Sequence, residues 1–231
     1  MLQQTQVERV LPKYQAFLKR WPNVKHLAEA SLGEVLTEWQ GLGYNRRAKM
    51  LHQCAQTVVE EYGGKFPQSY EALKALPGIG PYTAGAIMAF AYNQAVPIIE
   101  TNIRTVYLHH FFPSQTDVAD TEIMCLIEST LDQQNPREWY WALMDYGSHL
   151  KKTVGNQNNR SKSYTKQSTF RGSDREIRGA IIRALSTSNQ TETELMRTLS
   201  SFTKKRITEQ LRKLSDEALI EVCGKKLKLP S

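Results

Sequence analysis

From residue 1 to about residue 150, apolar side chains recur at three- and four-residue intervals and nowhere alternate. That pattern commits the stretch to helices packed on helices. Val7-Val10-Leu11-Tyr14-Phe17-Leu18, Leu27-Leu32-Val35-Leu36-Trp39 and Leu51-Cys54-Val58-Val59-Tyr62 each give one apolar face. Short joints rich in breakers separate them, at Pro22-Asn23, Gly41-Leu42-Gly43, Gly63-Gly64 and Pro77-Gly78. An all-α first part is expected. Hydrophobic residues make up 40% of 231, enough to pack one large domain or two modest ones. No run approaches the roughly 18 uninterrupted apolar residues of a membrane span, and Met1 to Gln6 has neither the basic nor the apolar region of an export signal.

Two further segments follow. Residues 151–173 are polar and basic with almost nothing to bury, and read as a linker or a loop laid over the first domain, with Tyr164 and Phe170 as the expected anchors. Residues 174–231 read as a small independent unit. Ile177, Ile181, Ile182 and Leu185 make one helix face, Thr191-Glu192-Thr193-Glu194 fits a capping box opening a second helix, and Thr203 to Ser215 gives a third. Leu219-Ile220-Glu221-Val222 and Lys226-Leu227-Lys228-Leu229 then form a hairpin around Gly224-Lys225. Three helices and a hairpin make a winged helix, with a helical dimerisation tail as the plainer alternative.

The net charge of +7 suits a polyanionic partner. Basic residues gather at Arg46-Arg47-Ala48-Lys49, at Lys151-Lys152 and between Lys204 and Lys228, with Lys204, Lys205 and Arg206 on the third tail helix. A solvated face is the alternative reading of such runs. Cys54, Cys125 and Cys223 lie far apart and make neither a metal-ligand pair nor a disulfide framework, which fits a reducing cytoplasm.

The most informative stretch is Leu76-Pro77-Gly78-Ile79-Gly80-Pro81-Tyr82-Thr83-Ala84-Gly85-Ala86. One helix ends near Leu73 and another begins near Tyr82, with Gly78 and Gly80 clearing side chains from the turn. The amides opening the second helix then point outward and suit a phosphate oxygen, although a simple interhelical turn would look similar. Beyond it, Ile98-Ile99-Glu100-Thr101-Asn102 ends an apolar, strand-like run in a carboxylate at a helix entrance. Glu100 is a dipole-stabilised helix cap on one reading, and on another a negative charge that steadies a cationic sugar while its bond to a base breaks.

In order and spacing, Met1-Leu2-Gln3-Gln4-Thr5-Gln6-Val7, Gly41-Leu42-Gly43-Tyr44, Gly64-Lys65-Phe66-Pro67, the hairpin at 76–86 and Ala142-Leu143-Met144-Asp145-Tyr146-Gly147 resemble the helix-hairpin-helix base-excision glycosylases, nearest to their adenine DNA glycosylase branch. The resemblance covers roughly the first 150 residues. It implies a two-lobed helical fold that binds duplex DNA carrying a lesion or mismatch in a cleft and flips the target base out of the stack. By position, Gln4 and Tyr44 look like wedges filling the vacated space, with Leu2 and Gln3 beside them. Arg46, Arg47, Gly78, Gly80 and Thr83 would touch DNA. Glu100 takes the place of the family's catalytic aspartate, with Asn102 next to it. Tyr82 stands where bifunctional members carry a Schiff-base lysine, and a phenol cannot form an imine.

Four departures qualify the resemblance. The family motif puts a catalytic glutamate just upstream of the segment that begins at Met1, so the acid that protonates a leaving adenine would have to come from an upstream Ser-Glu-Val-like segment. Glu100 is longer than aspartate by a methylene, a displacement of roughly an ångström that can cost about 100-fold in rate. Lys151 stands where the first cysteine of the family's iron–sulfur loop would be, so no cluster is expected, although the resemblance allows a monovalent cation at the hairpin carbonyls. A winged-helix-like unit takes the place of the C-terminal oxidised-guanine reader. The expected protein is a monomeric, monofunctional base-excision DNA glycosylase of the cytoplasm and nucleoid, with domains at 1–150 and 174–231 joined by 151–173. A DNA-binding module with weakened chemistry and an endonuclease III-like glycosylase/AP lyase are the alternatives.

Overall fold

A computed structural model describes residues 1–231, which pack as two compact units. One is made of residues 1–66 and 168–231, the other of residues 67–167. These lines fall elsewhere than at residues 150 and 173, and the reason is the core of the first unit.

In that unit the chain forms α1 (Val7–Arg20), α2 (Val24–Glu29), α3 (Leu32–Glu38) and α4 (Arg46–Tyr62) before returning as α10 (Asp174–Thr187). The apolar face of α10, through Ile177, Ile181 and Leu185, belongs to the same buried cluster as Val35, Leu36 and Trp39. The tail therefore shares its core with residues 1–66 rather than standing alone. Polar clasps reinforce this: Lys49 donates to the Glu217 carbonyl at 2.6 Å, and the Gly33 amide donates to the Pro230 carbonyl at 2.8 Å. The expected helix over 27–39 is two helices, because Ser31 and Glu34 make a capping box that starts α3 afresh.

The tail continues through β1 (Gln190–Thr191), α11 (Glu192–Thr198), α12 (Lys204–Asp216), β2 (Glu221–Cys223) and β3 (Lys226–Lys228). The expected capping box at Thr191 and Glu194 forms, with the Thr191 amide and hydroxyl donating to Glu194 at 2.7 and 2.8 Å. The hairpin forms as well, and a third strand joins it in an antiparallel sheet of order β1-β3-β2. Three helices with this sheet are the winged-helix arrangement.

The second unit holds α5 (Tyr70–Ala75), α6 (Pro81–Phe90), α7 (Thr101–Phe111), α8 (Asp120–Thr130) and α9 (Pro136–Thr153) around Ile98, Ile103, Leu108, Ile123, Ile127 and Tyr140. Ile98 and Ile99 precede α7 without forming a strand. The polar segment after α9 is anchored here, though not by the residues expected to do it. Tyr164 and Phe170 are 42% and 59% exposed. The anchors are polar. Asn158, 3% exposed, donates to the Thr101 carbonyl at 3.0 Å and to Thr105 Oγ1 at 2.7 Å, near the start of α7. Arg160 donates to the carbonyls of Leu108, Phe112 and Pro113 at its end. A cation placed there also satisfies the negative end of the helix dipole.

Candidate active site

The glycine hairpin lies between α5 and α6. Gly78 has φ +74°, a conformation that disfavours a side chain. Gly80 is different: its φ is −85°, and a Cβ built on it would meet nothing within 4 Å. The expectation that Gly80 serves the turn is corrected, since no internal contact or strain asks for glycine there. Its bareness leaves open space in front of α6, whose first turn has no side-chain cap and opens on Pro81, which lacks an N–H. Thr83 sits half-buried in that turn.

Glu100 reaches its position through several constraints on one strap. Tyr140 receives the Ile98 amide at 3.1 Å and donates to the Val96 carbonyl at 3.0 Å, and burial pushes its phenol up to about 12. Gly85 on α6 lets Ile98 approach where a Cβ would collide with its side chain. The chain then enters α7 with Glu100 as N-cap. Its Oε1 accepts from the amides of Asn102 and Ile103 at 2.6 and 3.0 Å, and Oε2 accepts from the Thr101 hydroxyl at 3.0 Å. On the other side, Gly147 of α9 sits so close to the Asn102 main chain that a Cβ would overlap it. Asn158 holds the Thr101 carbonyl. The cap expected from the sequence forms, and it leaves a rigid, half-buried carboxylate whose Oε2 takes only one hydrogen bond from the chain.

Tyr82 belongs to the same environment. Its phenol is held above the ordinary range, first by burial and then by the negative charge of Glu100. A fixed carboxylate beside a neutral phenol can stabilise a developing cation and cannot form an imine.

The wedge candidates lie in the other unit. Gln4 and Tyr44 both have positive φ, +56° and +49°. Such backbones are strained for residues other than glycine, and strain of this kind gathers at functional sites. Leu2 is 60% exposed, and Gln3, Gln4 and Arg46 also face solvent. Arg47 does not behave as the sequence suggested. Its guanidinium donates to the carbonyls of Met1, Gln3, Leu42 and Gly43 and to Thr5 Oγ1, at 2.6–3.3 Å, and so ties the two wedge-bearing loops together. Both terminal nitrogens of Arg47 are thus engaged within the chain, holding the loops around Gln4 and Tyr44 in place. Arg175 of α10, which sequence reasoning missed, packs over the Tyr44 ring at 5.7 Å and donates to its hydroxyl at 3.1 Å. Arg206 is likewise engaged, pairing with Asp174 at 2.6 Å and donating to the Gly172 carbonyl. Lys204 and Lys205 are exposed.

No three His, Cys, Asp or Glu side chains converge to hold a metal ion. The residues present do not fit an iron–sulfur cluster: Cys54 is buried with its thiol pushed up to about 11, Cys125 and Cys223 lie apart as free thiols, and the segment after α9 carries no cysteine and turns its amide, hydroxyl and guanidinium groups to α7 and to Phe112, Pro113, Val118 and Asp120. No helix is long and apolar enough to cross a membrane.

Comparison with known proteins yields a consistent picture. The model of the HhH-GPD superfamily of base excision DNA repair proteins matches residues 1–131. An adenine DNA glycosylase of Mycolicibacterium smegmatis is 40% identical over 149 residues, covering 64% of this chain and 51% of that protein. The Homo sapiens adenine DNA glycosylase is 39% identical over 153 residues, covering 64% of this chain and 28% of that protein. The chain thus spans about half the length of such relatives, or less. Among solved structures, a thermostable thymine-DNA glycosylase superposes with TM-score 0.55 at 22% identity, over 64% of this chain and 69% of that one. A trapped endonuclease III–DNA covalent intermediate gives TM-score 0.51 at 17% identity, over 66% and 70%. At such identities the superpositions speak for the fold alone.

Proposed function

The chain belongs to the HhH-GPD superfamily of base excision DNA repair proteins, and from that premise we propose that it is a monofunctional DNA N-glycosylase acting on duplex DNA. The observation that carries this reading is one compact unit holding both the bare hairpin at Gly78–Gly80 and the fixed Glu100 carboxylate, with Tyr82 within its field. The hairpin amides grip a phosphate without reading sequence. Gln4 and Tyr44, with Leu2 and Gln3, fill the duplex where a base has left the stack. As the bond between sugar and base breaks, Glu100 faces the cationic sugar and lowers the barrier electrostatically. Water adds hydroxide to the sugar carbon, and the base leaves with the proton. Asn102 contributes the amide that aims Glu100. Tyr82 supplies no amine, so the sugar–phosphate strand stays intact. Adenine, opposite a damaged or mismatched partner, is the base proposed, on the strength of relatives bearing that name. The protein is proposed to work as a monomer, with the DNA of the cytoplasm.

A panel of labelled duplexes tests the reading, with adenine opposite 8-oxoguanine, adenine opposite guanine, thymine opposite guanine and an oxidised pyrimidine. Adenine-containing duplexes should break at the target only after alkali. Breakage of none of them, or breakage before alkali, would overturn it.

Two further results are expected. Gly80→Glu puts a carboxylate into the open space meant for a phosphate and should weaken binding to every duplex by about tenfold or more. Unchanged affinity in the folded variant, measured by fluorescence anisotropy, would reduce the hairpin to a turn. Protein purified without oxygen should be colourless, and iron with sulfide in stoichiometric amounts would contradict the donor chemistry described above.

A further inference from the structure

In the winged-helix arrangement α11 and α12 form a helix-turn-helix, and neither they nor the hairpin wing are used by the excision chemistry. Around them the cations divide into two groups. Arg178, Arg206, Lys213 and Lys228 are paired, with Glu217, Asp174, Glu209 and Glu221, at 2.6–3.0 Å. Lys204, Lys205 and Arg212 on α12, and Lys225 and Lys226 at the tip of the hairpin, are exposed and form no ion pair or hydrogen bond. Of the acids on or beside α12, Glu209 is paired with Lys213 and Glu192 accepts from the Thr208 hydroxyl, while Asp216 ends the helix exposed, one turn after Arg212. Five exposed cations without an ion pair thus stand on one helix and one wing, Arg212 within the field of Glu209 and Lys226 within that of Glu194.

Two observations decide what such a surface fits. Val222 is the only large apolar residue exposed between 174 and 231, too little for the apolar centre of a protein interface. The single glutamine of α12, Gln210, is 1% exposed and cannot reach a base edge. Lysine, a mobile point charge, favours phosphate over base recognition. The second helix of a helix-turn-helix is also the element shaped to enter the major groove.

We propose that α12 and the hairpin wing form a second, sequence-independent grip on duplex DNA, in which Lys204, Lys205 and Arg212 take phosphate oxygens along the groove and Lys225 and Lys226 take others at the wing. The inference rests on the excision reading only for the choice of duplex DNA as the polyanion. Arg206 takes no part, because it is the strut that fixes the start of α12 to Asp174.

The test compares the full chain with its Lys204→Ala/Lys205→Ala/Arg212→Ala variant on an undamaged duplex, by anisotropy over a series of salt concentrations. Each phosphate contact contributes about 0.9 to the log–log slope, so the slope should flatten by about 2.7. Alanine suits exposed helix positions, and the single Lys205→Ala variant, expected to lose about 0.9, covers the case of a poorly folded triple variant. The same slope in wild type and folded variants overturns the proposal, and with an altered oligomeric state it makes the surface a protein contact instead. Retained base release with an unflattened slope sinks this inference alone. A flattened slope without base release from any duplex sinks the excision reading alone.

Discussion

Replacing Glu100 by glutamine is expected to leave duplex binding intact while slowing base release by on the order of 100-fold or more. The substitution keeps the length of the side chain, and the amide oxygen can still accept from Asn102 and Ile103, so the start of α7 should stay in place. What is lost is the negative charge, together with the oxygen that accepts from the Thr101 hydroxyl. Glu100→Asp makes the opposite change: it keeps the charge, and aspartate caps helices well, but it draws the carboxylate back by roughly an ångström. Its release rate should fall between those of wild type and the glutamine variant. Single-turnover kinetics at saturating enzyme measures both. Wild-type rates in Glu100→Gln would leave Glu100 a helix cap and nothing more.

Arg160→Ala is expected to destabilise the second unit as much as a core truncation would, lowering the free energy of unfolding by about 3 kcal/mol. Three carbonyls around the end of α7 lose a charged donor at once, and Gln157 Oε1 loses its partner. Arg160→Lys keeps the charge at the helix terminus but cannot span the carbonyls, so it should fall between alanine and wild type. Denaturant titration reads this directly, and a change below about 0.5 kcal/mol would show that the segment after α9 merely lies on the surface.

The clasp explains a limit of reading this chain from its sequence. Helical periodicity delivers α1, α4, α10 and α12 because each carries an apolar stripe, although α1 buries only Val10 and Phe17 of its own and leaves Val7, Leu11, Tyr14 and Leu18 exposed. The capping box at Thr191 was legible; the equivalent one at Ser31 and Glu34 was equally visible, yet the apolar pattern running through it suggested one continuous helix. The run around Asn158 and Arg160 has no apolar period, so its attachment by polar groups leaves no trace in hydropathy. Nor can a stripe on α10 declare which residues will cover it, and for that reason the shared core of Ile177 and Val35 was missed.

At the site, local features read well and distant ones did not. Glu100 at a helix entrance and the glycine hairpin follow from neighbouring residues. The supports for Glu100 come from Tyr140, Gly147 and Asn158, 40 to 58 positions away, and nothing near them in the chain advertises that role. Arg47 shows the same limit for charge. A basic run told of cations but not of their direction, and this guanidinium turns inward to five acceptors.

The central claim is that the Glu100 carboxylate drives hydrolytic removal of a base and leaves the strand whole. Mass spectrometry of the target strand, after a single turnover on duplex with adenine opposite 8-oxoguanine and without alkali, measures this most directly. Wild-type protein should give free adenine and an unbroken strand lighter by adenine less the water added, while Glu100→Gln returns the starting strand over the same interval. A strand cut at the target sugar, or equal yields of free adenine from both proteins, would contradict it.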